Sequence, residues 1–497
     1  MTEGFATTVV TQGVLDRLEP QEVLGFFEIL ANIPRGSGNE ERVAQWVVSF
    51  AHELGLEAVK DDLHCVLVKK PGQGGLEQSA PLVLHCHLDM VCEKAENTEF
   101  DFANDPIRLV VEGDFISANG TSLGADNGIG VSYILALLAS DDLPHPPLEA
   151  VFTSMEELGK GGAAHFDTTQ LSGRRMIDFN WISESEILAG CSGDVTFTVD
   201  VPAEWTSIPL THTVTRLFSV RGLKGGHCEF DIQRERANAI QVLARGLTAI
   251  LRDHDVLIAD LMGGAQNNAI PADAQVVLVM RPEHADSVAA IIALLQTDLH
   301  DEFMLADPNI RLELLDVAAP RRTFSGESGT RLAQLTQLIP NGVISWNLHV
   351  PGRVETSNNL GTIRTTPEGA RLMSTITSAV SSRKHDVLHR VSALADLAGG
   401  GISVRIFGLD APEFPYRPDS ELLAIASQAY RDVMGSEPSV EVSQCSLELG
   451  MFSRRVPIDD IISIGTELHD LHSPAEKVNH TSVARVWPLV MRVVSRL

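Results

Sequence analysis

The sequence predicts an α/β protein: a central, largely parallel mixed sheet flanked by helices, interrupted by an inserted α+β domain. Three observations carry this. Between about residues 80 and 195, apolar runs of strand length alternate with helix-like segments, the pattern of a parallel sheet. Near Val195 the texture changes to strands that alternate apolar and polar residues, separated by amphipathic helices, as expected of a sheet with one solvated face. Towards the end, GISVRIFG and DDIISIG read again as sheet strands. With 497 residues there is ample chain to bury more than one core.

Taken in order, residues 20–30 place apolar side chains at helical spacing, and a second helix follows Ser37-Gly-Asn-Glu-Glu. Asn39 is the expected cap of that helix, and Val43, Trp46, Val47 and Phe50 form its buried face. PLVLHC (81–86), LEAVFTS (148–154) and RMIDF (175–179) read as strands, with GIGVSYILALLA (128–139) a buried helix between the first two. Beyond Val195, VTFTVDV, VTRLFSVRGL, AQVVLVMR and NIRLELLDV read as strands. NAIQVLARGLTAIL and DSVAAIIALLQTDL read as helices among them. ARLMSTITSAVSS (370–382) is the expected last strand of the insert, and residues 385–399 are helical. The expected division is a discontinuous domain of 1–194 plus 388–497 and an inserted domain of 195–387.

Sixty-six acidic against 38 basic residues give a formal charge of −28. That charge argues against nucleic acid and anionic membranes as partners, both of which need a basic face. No apolar run reaches the roughly 20 residues of a membrane span, and the N-terminus lacks a basic segment followed by an apolar one. Six cysteines without a C-x-x-C pair read as free thiols in a reducing cytoplasm.

The chemistry collects where strands end. The first run stops at His85-Cys-His87-Leu-Asp89, the second at Met155-Glu156-Glu157, the third at Asn180, and DDIISIG leads to His469-Asp-Leu-His472. The loop before the buried helix holds Asp126-Asn127-Gly. Ligands of open α/β sheets bind beyond the carboxyl ends of the strands, so five segments deliver imidazole and carboxylate to one edge. These are ligands of zinc and similar divalent metals. Singly, each has an ordinary reading: a hydrogen-bonded turn, a solvated helix start, a loop. Jointly they point to a metal centre, with Asp89 placed to orient the His87 ring. His85 reads as a neighbour of the site, and Cys191 as a packed thiol.

HCHLDMVCEK, TSLGADNGIGV, SMEELGKGG, VRGLKGGH, NNAIPADA, VETSNNLG, SLELGMF and HSPAEKV occur in this order. Together they resemble the aminoacylase/carnosinase-type family of dinuclear metallopeptidases, and within it the bacterial aminoacyl-histidine (Xaa-His) dipeptidase branch. The resemblance covers about residues 20–495. It implies two divalent ions, zinc foremost, with manganese or cobalt as alternatives. Asp126 would bridge them, Glu157 and His472 would complete one site, and His87 and Asn180 would serve the other. Glu156 would be the general base. The inserted domain would act as a lid and dimerisation module. His227 would be its oxyanion donor, and Asn268 and Glu448 would line the substrate site. The implied activity is cleavage of dipeptides by a cytoplasmic homodimer.

The sequence also departs from the family pattern. Asn180 stands where an Asp ligand is expected, a neutral donor that implies weaker binding of the second metal. Asp178 lies two residues back, about 6.6 Å along a strand, too far to replace it. The lid histidine precedes Cys228-Glu229 in place of Ser-Gly, and Gln233 and Gln444 stand where histidines are expected. Ile376 occupies the place of a substrate-binding Arg, with Arg371 and Arg383 as the nearest replacements. These changes leave two further readings: an N-acyl-amino-acid amidohydrolase, and a non-catalytic metal-binding dimer. Retention of Glu156 argues against the second.

Overall fold

The computed structural model describes residues 13–207, 212–455, 458 and 460–497. The described chain divides into two compact units, bounded at Cys191/Ser192 and Glu413/Phe414, with Gln444–Ser446 belonging to the second.

The first unit is built on a sheet in the spatial order Glu57–Lys60, Val66–Lys70, Leu148–Thr153, Leu82–His87, Arg175–Trp181, Asp460–Gly465. The last four strands run parallel to one another and the first two antiparallel. Every residue of Leu82–His87 and Leu148–Thr153 is buried, as continuous apolar runs in the middle of a covered sheet should be. The run 128–139 belongs to helix Ala125–Ala139, which is buried on nearly all sides because it is apolar on nearly all sides. Tyr133 of this helix stacks on Trp487 of the C-terminal helix His480–Val494.

The second expected helix spans Glu41–Glu53, but Asn39 does not cap it. Asn39 Nδ2 is buried without a hydrogen-bond partner among the described residues. Glu40 holds the N-cap position, and its carboxylate accepts from Gly38 N (2.8 Å) and Met155 N (3.0 Å). The helix start is thus fastened to the turn before Glu156.

The second unit carries an antiparallel sheet in the order Ser403–Asp410, Glu186–Pro202, Gly369–Ser378, Val354–Thr365, Val256–Gly263, Ala274–Met280, Val214–Arg221, Arg311–Asp316. Helices Ala239–Asp253, Pro282–Phe303, Gly326–Leu338 and Ser381–Ala398 belong to it. Its core gathers Phe197, Phe218, Leu243, Leu278 and Leu372. The chain returns to the first unit at 413/414 instead of 387/388. Helix Ser381–Ala398 buries Val387 and Val391 in this core, and Ser403–Asp410 pairs with Val195–Asp200. Among the described residues no helix is long and apolar enough to cross a membrane.

Candidate metal centre

The parallel strands of the first unit set out most of the expected donors. His87 is the last residue of its strand, and Asp89 follows it, fully buried. Glu156 and Glu157 come just after Leu148–Thr153, beyond a turn in which Met155 has φ 50°. Asn180 lies within Arg175–Trp181 rather than after it. Asp126 sits where Ala125–Ala139 departs from helical geometry (φ −80°, ψ 106°). His472 occupies a loop with φ 58°, left-handed backbone that is uncommon for residues other than glycine.

These side chains meet. His87 Nε2 is 3.1 Å from Asp126 Oδ1, and His472 Nε2 is 3.4 Å from Asp126 Oδ2 and 3.0 Å from Glu157 Oε1. Ligand atoms of His87, Asp126 and Glu157 all lie within 4.8 Å of one another. Asp89 organises the cluster from behind. It is 3.4 Å from His87 Nδ1 and accepts from Ser37 Oγ (2.8 Å), Glu156 N (3.1 Å) and Glu157 N (3.2 Å). One carboxylate therefore fixes the imidazole ring and both glutamates.

The electrostatics are those of a cation site. Hydrogen bonds to Asp126 and Glu157 push the His472 imidazolium up to about 10. Burial works to lower His87, yet Asp126 and Asp89 hold it well above its ordinary value. Burial likewise opposes the ionised Asp126, and the two imidazoles keep it well below the usual carboxylate range. Glu156 moves the other way, up to about 8, chiefly through burial and then through Glu448 and Glu157. Two imidazolium ions thus offset the acidic cluster where a divalent cation would be held by the same donors. His472, Glu157 and Asp126 Oδ2 form one zinc-like donor set, and His87 faces the other oxygen of the same Asp126.

The second set is weaker. Asn180 Oδ1 accepts from Asn127 Nδ2 at 2.8 Å, which leaves its other lone pair for a metal. Asp178 takes no part: its oxygens are bonded to His85 Nδ1 (2.7 Å) and Ser463 Oγ.

His85, a neighbour by sequence, is the hub of a buried network. Its Nδ1 faces Asp178, and its Nε2 lies 3.2 Å from Thr153 Oγ1 and 3.3 Å from Glu448 Oε2. Thr153 donates to the same Glu448 oxygen at 2.7 Å. With carboxylates at both nitrogens, His85 is pushed up to about 9 despite its burial. Glu448 Oε1 is buried without a hydrogen-bond partner among the described residues. Sequence reasoning missed this network. Its one available signal was an ionisable residue at 85, two positions before His87, inside a buried strand.

In the second unit, Gly226–His227 pairs with Ala269–Ile270, and Cys228 N donates to Asn268 O at 2.8 Å. His227 and Asn268 are therefore set by one short ladder. Burial lowers the His227 pKa, and its Nδ1 accepts from Glu229 N at 3.2 Å. The ring is thus neutral, with its proton on Nε2. Asn359 Nδ2 donates to both Asn267 O and Ala269 O at 2.9 Å, bracketing the exposed Asn268. Neither candidate arginine is a spare cation: Arg371 pairs with Asp200 (2.6 Å) and Arg383 with Glu355 (2.9 Å). Ile376 is fully buried, Gln233 donates to Phe230 O, and Gln444 donates to Ser357 Oγ.

The chain resembles proteins already characterised. The chain is 31% identical over 486 residues to the cytosol non-specific dipeptidase of Escherichia coli (strain K12), covering 97% of this chain and 99% of that one. It is 32% identical to the aminoacylhistidine dipeptidase of Vibrio alginolyticus, whose crystal structure superposes with a TM-score of 0.91 over 98% of both chains. The aminopeptidase PepT of Bacillus cereus shares the fold at 12% identity, with a TM-score of 0.55 over 96% of this chain and 98% of that one. The model of peptidase family M20/M25/M40 matches residues 83–496, and the chain belongs to that family.

Proposed function

We propose that this protein is a metal-dependent dipeptidase in which Glu156 is the general base. The single observation that carries the reading is the placement of Glu156: its backbone is tied to Asp89, which also orients His87, and its carboxyl adjoins the donor cluster. Asp126, Glu157 and His472 would hold one divalent ion, and His87, Asp126 and Asn180 a second, weaker one. Such ions acidify water and polarise the scissile carbonyl when bound. Glu156 accepts the proton of the attacking water and returns it to the leaving amine. A neutral His227 with its proton on Nε2 suits donation to a developing oxyanion, and the exposed Asn268 is assigned to substrate contact; Glu448, expected at the substrate site, is instead buried against His85 and Thr153. Zinc is the first choice of metal on donor type, with manganese and cobalt next.

We further infer a cytoplasmic homodimer joined through the second unit. Strand Ser403–Asp410 has a partner strand on one side only among the described residues and exposes Ile406, Phe407 and Leu409. The free thiols and the cytosolic relative support the compartment.

The test is hydrolysis of Ala-His, β-Ala-His, Gly-Gly, Leu-Ala and an N-acetyl amino acid after loading with zinc or manganese. Cleavage of dipeptides that is lost in Glu156→Gln, with metal content unchanged, supports the reading. Cleavage of the acetylated substrate alone would make the protein an amidohydrolase. No turnover with either metal would leave a metal-binding dimer.

A further inference from the structure

Glu476 is 2% exposed, and its carboxylate is filled by main-chain donors. Oε2 accepts from Leu123 N (2.7 Å) and Gly124 N (2.9 Å); Oε1 accepts from Ala125 N (2.9 Å) and Asp126 N (3.3 Å). Four consecutive peptides thus converge on one side chain at the start of helix Ala125–Ala139. Facing it across the same turn is Arg35, buried to 3%. Its guanidinium donates to Leu88 O (2.9 Å), Asp89 O (3.2 Å) and Gly124 O. Gly124 is therefore held from both sides, its N–H by Glu476 and its C=O by Arg35. Its φ of +74° favours glycine, and a Cβ there would lie 2.6 Å from Arg35 Nη2.

The connectivity gives the arrangement its meaning. Glu476 lies four residues after His472, Arg35 grips the segment between His87 and Asp89, and both grip the turn that ends in Asp126. Three ligand-bearing segments are tied together by two opposite charges that coordinate nothing themselves. We propose that Glu476 and Arg35 are positioning residues that set the spacing of Asp126, His472 and His87, and so set metal affinity. This rests on the proposed metal centre. The alternative is that the pair contributes to fold stability alone.

Glu476→Gln keeps shape and volume but replaces an acceptor oxygen with an NH2 group that meets two N–H donors. Zinc affinity of the purified full chain is read by competition with a chromogenic chelator, beside the thermal midpoint of the metal-free protein. Weakening of zinc binding by about tenfold or more is expected, in the range of lost ligand-orienting contacts. At saturating zinc, kcat should fall while the dipeptide KM stays within about twofold, because the substrate contacts are untouched. Arg35→Lys retains charge but cannot reach three carbonyls together, so it should show a smaller loss of zinc affinity. It also decides the matter if Glu476→Gln does not fold. Unchanged zinc affinity in the folded variants, with only the thermal midpoint lowered, would overturn the proposal. An Asp126→Ala control separates the two failures: if it too leaves zinc binding unchanged, the metal centre itself is misassigned.

Discussion

Metal loading of this protein should expel protons, and the number is set by the two imidazoles. A ligating imidazole must be neutral. His472 is held up to about 10 by Asp126 and Glu157, and His87 is also held well above its ordinary value, so both are protonated at pH 7 in the metal-free protein. Binding at pH 7 should therefore release about two protons, plus part of a third from Glu156, which is held up to about 8. Each imidazole released adds about one decade of apparent affinity per pH unit to the ion it ligates, so each ion should bind up to about a hundredfold tighter at pH 8 than at pH 6, and the product of the two constants should rise up to about ten-thousandfold. The His472 side chain is half exposed, and solvent screening trims its share. The sign for the metal-free fold is opposite. Raised imidazoles stabilise it fully below about pH 6.5 and cease to do so as pH rises through the folded values. Calorimetric titration with zinc in two buffers of different ionisation enthalpy counts the protons, and chelator competition at pH 6, 7 and 8 gives the slope. Release of less than half a proton, with affinity flat in pH, would refute the assignment of both imidazoles as charged ligands-in-waiting.

Other expectations follow from single residues. Glu156→Gln should lower kcat by about a hundredfold to ten-thousandfold, the usual range for a lost general base, with metal content by elemental analysis unchanged. Asn180→Asp supplies the carboxylate that the second site lacks and keeps the Asn127 hydrogen bond, so the second equivalent of zinc should bind at least about tenfold tighter; no change would mean that Asn180 is not a ligand. His85→Leu strands Asp178 and Glu448 as buried carboxylates and should cost about 3–5 kcal/mol in urea unfolding at pH 7, the range for breaking one side of a buried ion pair. Because His85 is held up to about 9, that difference should shrink as pH rises through this value.

The parallel core and the donor set were legible because they rest on short-range pattern. Apolar runs marked the strand that ends at His87 and the one that precedes Glu156, and acids or imidazoles at or just after their ends marked the site. What stayed hidden rests on long-range pairing. The strand Ser403–Asp410 has the composition of either sheet, and only its register with Val195–Asp200 assigns it to the second unit. Strand Glu186–Pro202 runs unbroken through the boundary near 192, so no turn signal marks it. Asn39 has the right type for a helix cap, but Glu40 binds both Gly38 N and Met155 N, and a contact 115 residues away outweighed local preference. Glu476 and Arg35 were unreadable for the same reason: their partners are main-chain groups, which a sequence does not distinguish.

The order of strands in the first unit bears on how the protein is made. Asp460–Gly465 lies beside Arg175–Trp181 and touches Glu186–Pro202 at Leu188, so the sheet holds a slot that only the last tenth of the chain can fill. Until that segment leaves the ribosome, the edge of Arg175–Trp181 stands open, an unsatisfied template for pairing with other chains. The second unit, nearly continuous between Ser192 and Glu413, can complete its own core in the meantime. In order of synthesis, the insert is complete before the strand that seals the sheet emerges, and His472, a metal-ligand candidate, follows that strand.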